Sequence, residues 1–482
     1  MGLTKATYSL INGAALNVLD FGADPTGTDD SLAAIQDAID SAGDNVQIYF
    51  PSGTYKVTGS IDLTQCEGVH LVGAGQLATE IFSTANEPVI KIAGSSTAVT
   101  NSTGVQSMTI RGSGQANSLA HGVSFAWTNS CYLQDLVFFS CRHAMNIVHN
   151  WQTNISNVRV YGAGTDQTYI GMYMDATTLT DIDNAVVAYN VNIQGTSQYG
   201  FRIINGQGSK FTSCEAGGSP MVHAWYIGDP PSGTVKCQWI CLTNCLGDST
   251  SGSVWLFRRG TATELSQMQL DNCWAGNGDH GFFVDAARNI IFGNCQAIGN
   301  TNSGVTLNQC EQIVVNGWNF QENNEAADAN MAAVMIQGGL YHVISNCTIP
   351  SNVAGKSLIE KTATDYNTIF GNNLFQGASI IGVNSQVFRN RAFRTENVGE
   401  VDMLAAATTV TVTHGLALTP VLGFISVTPK TGIGSAKSWW IANATSTTFD
   451  IVVDTAPGVK IGFCWNISMC KDRKSTRLNS SH

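Results

Sequence analysis

What most constrains this chain is a repeat. Between residues 66 and 395 short β-rich runs are broken by Asn, Gly and Ser, and helical periodicity is almost absent. Laid over itself, Asp271-Asn272-Cys273 falls on Gly293-Asn294-Cys295 at an offset of 22 and then on Asn316-Gly317-Trp318 at 23. Gly281-Phe282-Phe283-Val284 falls on Gly304-Val305-Thr306-Leu307, again at 23. Related units surround Ser213-Cys214, Asn244-Cys245, Asn346-Cys347 and Asn372-Asn373, with longer insertions between some of them. Strands in such a unit cannot close their own hydrophobic face, so units must stack, and a period in the low twenties is that of a parallel β-solenoid. Leucine-rich repeats share the period, but their LxxLxLxxN consensus is absent.

The repeat also orients side chains. Asn before Cys tolerates a left-handed bend between two strands of a coil. Cys273, Ala275, Cys295, Ala297, Trp318 and Phe320 are then expected to point inward, and Trp274, Gln296 and Asn319 outward. Before the repeat, Asp29 to Ala42 spaces Leu32, Ile35 and Ile39 as a helix, with acidic residues in its first turn. Val46 to Phe50 and Tyr55 to Leu63 read as strands about a Pro51-Ser52-Gly53-Thr54 turn. After the repeat, five strand candidates from Thr408 to Trp465 suit a small antiparallel sandwich.

Composition narrows the partners. Charged residues are 12% of the 482, against a typical ~25%. The net charge of -11 leaves no basic face for nucleic acid. No apolar run is long enough for a membrane span or a secretory signal, so the chain is expected to be made in a host cytoplasm. Thirteen Cys without CxxC pairs suit reduced thiols. The expected division is 1–65 as cap and first coils, 66–398 as β-helix, 399–470 as C-terminal sandwich, and 471–482 as a disordered tail.

The segment VLDFGADPTGTDDSLAAIQDAIDSA, followed by VQIYFPSGTYKVTGSIDL, closely resembles the N-terminal signature of the pectate-lyase-like right-handed β-helix superfamily, in the branch that includes phage tailspikes. The C-terminal stretch TVTHGLALTPVLGFISVTP with SWWIANATSTTFDIVV looks like the small β-domains that end tail fibres. The resemblance implies an all-β, right-handed parallel β-helix with an N-terminal capping helix and a C-terminal antiparallel sandwich. It implies a homotrimer on a virion, with an adaptor protein as a further partner, that binds and usually cleaves a bacterial surface polysaccharide. Asp20, Gly22, Asp29, Asp30, Pro51, Gly53 and Tyr55 belong to the structural signature. The paired-Asp and Gly-His-Gly strings of polygalacturonases are absent, the nearest being Gly278-Asp279-His280-Gly281, and no pectate-lyase calcium site is recognisable, so the resemblance supplies no catalytic residue.

Glycoside hydrolysis needs two carboxyl groups, one protonated and one ionised. The candidates on or beside the repeat are Glu215, Asp248, Asp271, Asp279, Glu322 and Glu325, with Asp279 and Glu325 nearly equivalent and about two coils apart. Sugar rings stack on aromatic faces. Trp274 is the expected platform, and Trp239 a weaker one better read as core. His280 and Arg258 are further substrate-binding candidates. Of Trp439 and Trp440 one is expected in the core. Cys237, Cys241 and Cys245 would share one strand face as an internal ladder, and no metal or cofactor is expected. His223, His280 and His414 look scattered. The expected activity is hydrolysis. The alternatives are binding without cleavage, or elimination on a uronate polymer with Arg258, Arg259 or Arg288 neutralising the carboxylate.

Overall fold

The computed structural model describes residues 15–469 except 163–166, 175–182, 230–235, 261–263, 326–327, 329, 350–355, 362–365, 375–376 and 380–384. The expected tail 471–482 and Cys470 lie outside the described residues. The body is a right-handed parallel β-helix of stacked coils. Each coil feeds two walls. One is an unbroken stack that includes Val123–Asn129, His143–Trp151, Ile170–Met174, Tyr199–Ile203, His223–Gly228, Trp255–Arg258 and Phe282–Asp285, all parallel. We call it the flat wall. The other is bent at a corner, as in Glu264–Asp271 followed by Trp274–Gly276.

The bend is where the repeat placed it. Asn244, Asn272, Asn294 and Asn346 have φ of 54, 52, 51 and 55°. Asn is among the few residues that adopt this region at low cost, and its side chain closes on the next coil: Asn272 Nδ2 donates to Asn244 Oδ1 at 2.7 Å. Cys273, Ala275, Cys295, Ala297, Trp318 and Phe320 are buried, while Asn319 is exposed and Trp274 and Gln296 half-buried. The pairings Trp274↔Gln296 and Gln296↔Asn319 reproduce the offsets of 22 and 23. Asn272→Val should cost about 1–2 kcal/mol in denaturant unfolding, because a branched side chain resists positive φ, whereas Asn272→Gly should cost little.

Several local expectations are corrected. The capping helix is Leu32–Ala42, not Asp29 onward. Asp29 and Asp30 lie in the strand Thr26–Asp30, and Asp30 Oδ1 accepts from Leu32 N at 3.1 Å just before the first turn. The run Tyr55 to Leu63 is two strands, Gly53–Val57 and Ile61–Asp62. Cys237, Cys241 and Cys245 do not share a strand face, since Trp239 at φ 58° turns the chain between Lys236–Gln238 and Cys241–Thr243, leaving Cys241 exposed. The internal ladder instead runs Cys214, Cys245, Cys273, Cys295 along consecutive coils. The twelve described cysteines are free thiols.

At the C-terminal end two three-stranded antiparallel sheets face each other. Glu396–Met403, Ile461–Ser468 and Ile425–Pro429 form one, and Thr409–Thr413, Thr448–Val453 and Trp439–Ala442 the other. Phe449 meets Trp465 edge-on at 5.8 Å within their shared core. The first strand, Glu396–Met403, was not anticipated. Trp439 and Trp440 are both exposed, at 40 and 47%, because their strand is a sheet edge whose start overhangs the core.

Candidate functional site

A cavity of about 660 Å³ opens on the outer face of the flat wall, lined by His121, Arg142, His143, Tyr173, Tyr199 and Arg202 among others. It arises from coil register. Val123 pairs with Met145, His143 with Ile170, Ile170 with Tyr199 and Tyr199 with His223. Extending the same register places His121, His143, Ile170, Tyr199, His223, Ser253, His280 and Ser303 in one column at the entrance to the flat wall. The residue after each is mostly Gly or Ala because coils press together there: a Cβ on Gly122 would lie 2.5 Å from the Ala144 carbonyl oxygen. His223 and His280 are therefore not scattered but coil-equivalent, whereas His414 sits in the C-terminal module.

His143 is held between His121, at 4.6 Å between ring centres, and Tyr173, at 4.3 Å. Its Nδ1 lies 3.1 Å from Asn146 Oδ1, and Asn146 is itself oriented by donating from Nδ2 to Ser124 Oγ. That arrangement puts the proton on Nδ1 and leaves Nε2 as a lone-pair acceptor. Burial pushes the His143 pKa down to about 3, helped by His121 and Arg142, and burial pushes His121 down to about 4, helped by Arg142. Both are neutral at pH 7. Burial raises the Tyr199 pKa, so its phenol stays protonated.

Two guanidinium groups face these rings. Arg142 stacks over Tyr169 at 3.7 Å and donates to the Gln115 carbonyl. Arg202 is only 7% exposed, lies over Tyr226 at 3.9 Å, and donates to the carbonyl oxygens of Gly228 at 2.6 Å and Asp229 at 2.9 Å. A cation so buried and bonded to carbonyls rather than to a carboxylate leaves net positive charge at the cavity floor. Asp229, whose carboxylate accepts from Tyr226 OH, is the one acid among the residues lining the cavity.

Acid should destabilise this fold. His121, His143 and His342, the last also pushed by burial to about 4, bind a proton near 6.5 when unfolded but not when folded. Between about pH 6.5 and 4 the unfolded chain therefore holds more protons, and stability falls as pH falls. Thermal unfolding across that window should show the decline, and His143→Gln should make it shallower.

None of the six acidic candidates lines the cavity. Glu215 and Asp248 are on the bent wall: Glu215 pairs with Leu246 and Gly217 with Asp248, which sets the two acids on one outward face, diagonally across adjacent coils. Their Cα atoms are then roughly 8 Å apart. Asn192 Nδ2 donates to Glu215 at 2.9 Å and Asn277 Nδ2 to Asp248 at 2.8 Å. Asp271 ends the strand Glu264–Asp271, accepting from Asn294. Glu322, at φ 51°, and Glu325 are exposed turn residues. Asp279 lies 3.8 Å from His280 Nε2, and by backbone bonding Asp279 and Glu325 flank Thr301 from the coils on either side.

Among the expected sugar contacts, Trp274 is half-buried and leans over Gly276. Trp239 is 52% exposed rather than core, since the turn throws it outward and Ile240 takes the inward place. His280 belongs to the histidine column, its Nδ1 2.8 Å from Ser303 Oγ. Arg258 pairs with Asp285 at 3.7 Å and accepts at its carbonyl from Asp229 N, beside the cavity rim. Arg288 is tied to Glu264 at 3.0 Å. Arg142, His143, Tyr199 and Arg202 were missed, although a His/Tyr-Gly/Ala-hydrophobic triplet recurs at each of these coils and could have found the column.

Residues 15–111 match the family described as rhamnogalacturonase A/epimerase, pectate lyase-like. Residues 237–400 match that of a periplasmic copper-binding protein (NosD). Among the described residues no group of three or more His, Cys, Asp or Glu able to hold a metal ion occurs. The buried thiols Cys310 and Cys347 are pushed up to about 12 by burial and donate to carbonyls. Over 72 residues the chain is 44% identical to mannuronan C5-epimerase AlgE2 of Azotobacter vinelandii, which is 14% of this chain and 7% of that relative's length. In structure it resembles the A-module of mannuronan C-5 epimerase AlgE6 from the same organism (TM-score 0.56, 18% identity, 78% of this chain and 98% of that one). It also resembles tailspike protein 3 of bacteriophage CBA120 (TM-score 0.60, 12% identity, 91% of this chain and 68% of that one). The chain thus carries a pectate-lyase-like domain within a right-handed parallel β-helix, a fold it shares with a phage tailspike and an epimerase module.

Proposed function

We propose that this chain is a tailspike-type enzyme that binds and cleaves an anionic bacterial surface polysaccharide, a capsule, O-antigen or exopolysaccharide bearing uronate residues, in the cavity of the flat wall. The observation that carries the reading is the pairing of two guanidinium groups with a neutral histidine of fixed tautomer and a protonated tyrosine. Arg142 and Arg202 neutralise the sugar carboxylate and so acidify the neighbouring C5–H bond. The bound carboxylate in turn raises the His143 pKa toward a useful range. His143 Nε2 takes the C5 proton. The electron pair forms the C4–C5 double bond, the C4–O bond breaks, and Tyr199 gives its proton to the departing oxygen. Each event leaves one unsaturated end and one new reducing end.

A second reading, hydrolysis by Glu215 and Asp248, draws on their placement on one outward face, diagonally across adjacent coils, since glycoside hydrolysis needs two carboxyl groups flanking the bond. Glycan binding without cleavage is the third. The remaining elements of the proposal follow the tailspike reading: a homotrimer on the virion, held directly or by an adaptor, with residues 399–470 as the trimerisation or receptor-contact module. Incubation with alginate, polygalacturonate and uronate-bearing capsular polymers tests the chemistry. Unsaturated ends support elimination, reducing ends alone support hydrolysis, and bound but intact polymer supports an adhesin.

A further inference from the structure

The chain bends at several positive-φ columns along each coil, and two of them on the bent wall are built differently. At the corner carrying Asn157, Asn190, Asn244 and Asn272 the amides bond to one another, as in Asn190 to Asn157 at 2.9 Å. The other also lies within the bent wall, nearer to its entrance from the flat wall. Its column is Trp239, Gln267, Asn289, Gln312, Tyr341 and Tyr366, all with φ between 54 and 68° and all exposed. Register fixes the order: Gln238 pairs with Ser266, Ser266 with Arg288, Arg288 with Glu311, Glu311 with Leu340 and Val343 with Thr368.

Three features set this second corner apart. Bulky aromatic residues at positive φ are outliers that cost backbone energy, yet Trp239, Tyr341 and Tyr366 are 52, 50 and 43% exposed and fill no core. Tyr341 and Tyr366 stack on each other at 5.5 Å, which stiffens a ledge while leaving an outer face open. The side chains of Gln267, Asn289 and Gln312 make no hydrogen bond within the described residues, nor do the two tyrosine hydroxyls. A ridge that sets one tryptophan, three solvent-facing amides and two stacked tyrosines one coil apart has the chemistry of a carbohydrate track, because pyranose rings stack by their C–H faces and bond by their hydroxyls.

We infer that this corner is a second, non-catalytic glycan-binding track, which holds an extended polysaccharide parallel to the helix axis over five coil steps, about 24 Å. It rests on the reading of the chain as a polysaccharide-acting protein, and adds to it a surface around the corner from the cavity. Its role is to hold the long polymer near the site, so it matters for chains and not for short oligomers.

The test uses the full chain and the triple variant Trp239→Asn, Tyr341→Asn and Tyr366→Asn. Asn is already accepted at this corner as Asn289, so thermal unfolding should not fall. Affinity electrophoresis against alginate, polygalacturonate and dextran reads binding to long chains, and short oligomers of the same polymers read turnover. The expected result is binding of long chains weakened about ten-fold or more, with oligomer turnover and particle size unchanged. Equal binding by variant and wild type overturns the inference. So does a change of oligomeric state in the variant, which would make the corner a contact between copies. If the wild type itself neither binds nor alters any of the polymers, the functional reading falls, and the track with it.

Discussion

His143→Gln should reduce kcat/KM on a uronate polymer by about 10²–10⁴-fold, the range expected when a general base is removed. Glutamine keeps a polar group beside Asn146 Oδ1 and nearly fills the space between His121 and Tyr173, so the wall should stay assembled. What it lacks is a basic nitrogen at Nε2. Arg142→Gln should also lower kcat/KM, by about 10²-fold or more if the guanidinium stabilises the carboxylate as charge spreads onto it. The split between the two variants is informative. The base variant should leave KM nearly unchanged, while the arginine variant should raise it, because Arg142 also binds the ground state. Glu215→Gln and Asp248→Asn should have little effect on elimination, and a large loss there would move the chemistry to the bent wall.

The second large effect is on stability. Phe201, Trp225, Trp255 and Phe282 are paired residue by residue along four coils, on the inner side of the flat wall. Their rings form a continuous pile, with Phe201–Trp225 at 3.8 Å, Trp225–Trp255 at 4.6 Å and 1° between planes, and Trp255–Phe282 at 5.5 Å. Trp255 Nε1 also donates to the Trp274 carbonyl at 3.0 Å, which ties the flat wall to the bent one. Trp255→Ala removes the middle of the pile and leaves that carbonyl unpaired, and should cost about 3–5 kcal/mol in unfolding experiments. Trp255→Phe should cost clearly less, since it keeps the stack and loses only the hydrogen bond. Because Tyr226 and Leu256 project outward from the same strands, the Ala variant should loosen the seat of Arg202 as well.

The fold was legible where a physical rule repeats at fixed spacing. Asn272 and Asn294 are 22 residues apart because a coil needs a residue tolerant of positive φ at that corner each time, and burial of Cys273, Cys295 and Trp318 follows from it. The site was not legible because its column is spread by insertions: steps of 22, 27, 29 and 24 residues separate His121, His143, Ile170, Tyr199 and His223. A search for a constant period passes over these residues, although the small residue that follows each would have aligned them. Attention to acids alone also favoured the bent wall, where Glu215 and Asp248 lie, over a cavity whose charge is mainly cationic. Trp239, Trp439 and Trp440 show the limit of reading an aromatic residue as core: their exposure is decided by a turn in one case and by a sheet edge in the other two.

The most direct measurement of the central claim follows the chain ends released from a uronate-bearing polysaccharide by the wild type and by His143→Gln. The account predicts unsaturated ends appearing in step with new reducing ends, and their loss in the variant while the polymer still binds. Turnover undiminished in His143→Gln, or reducing ends without unsaturation, would contradict it.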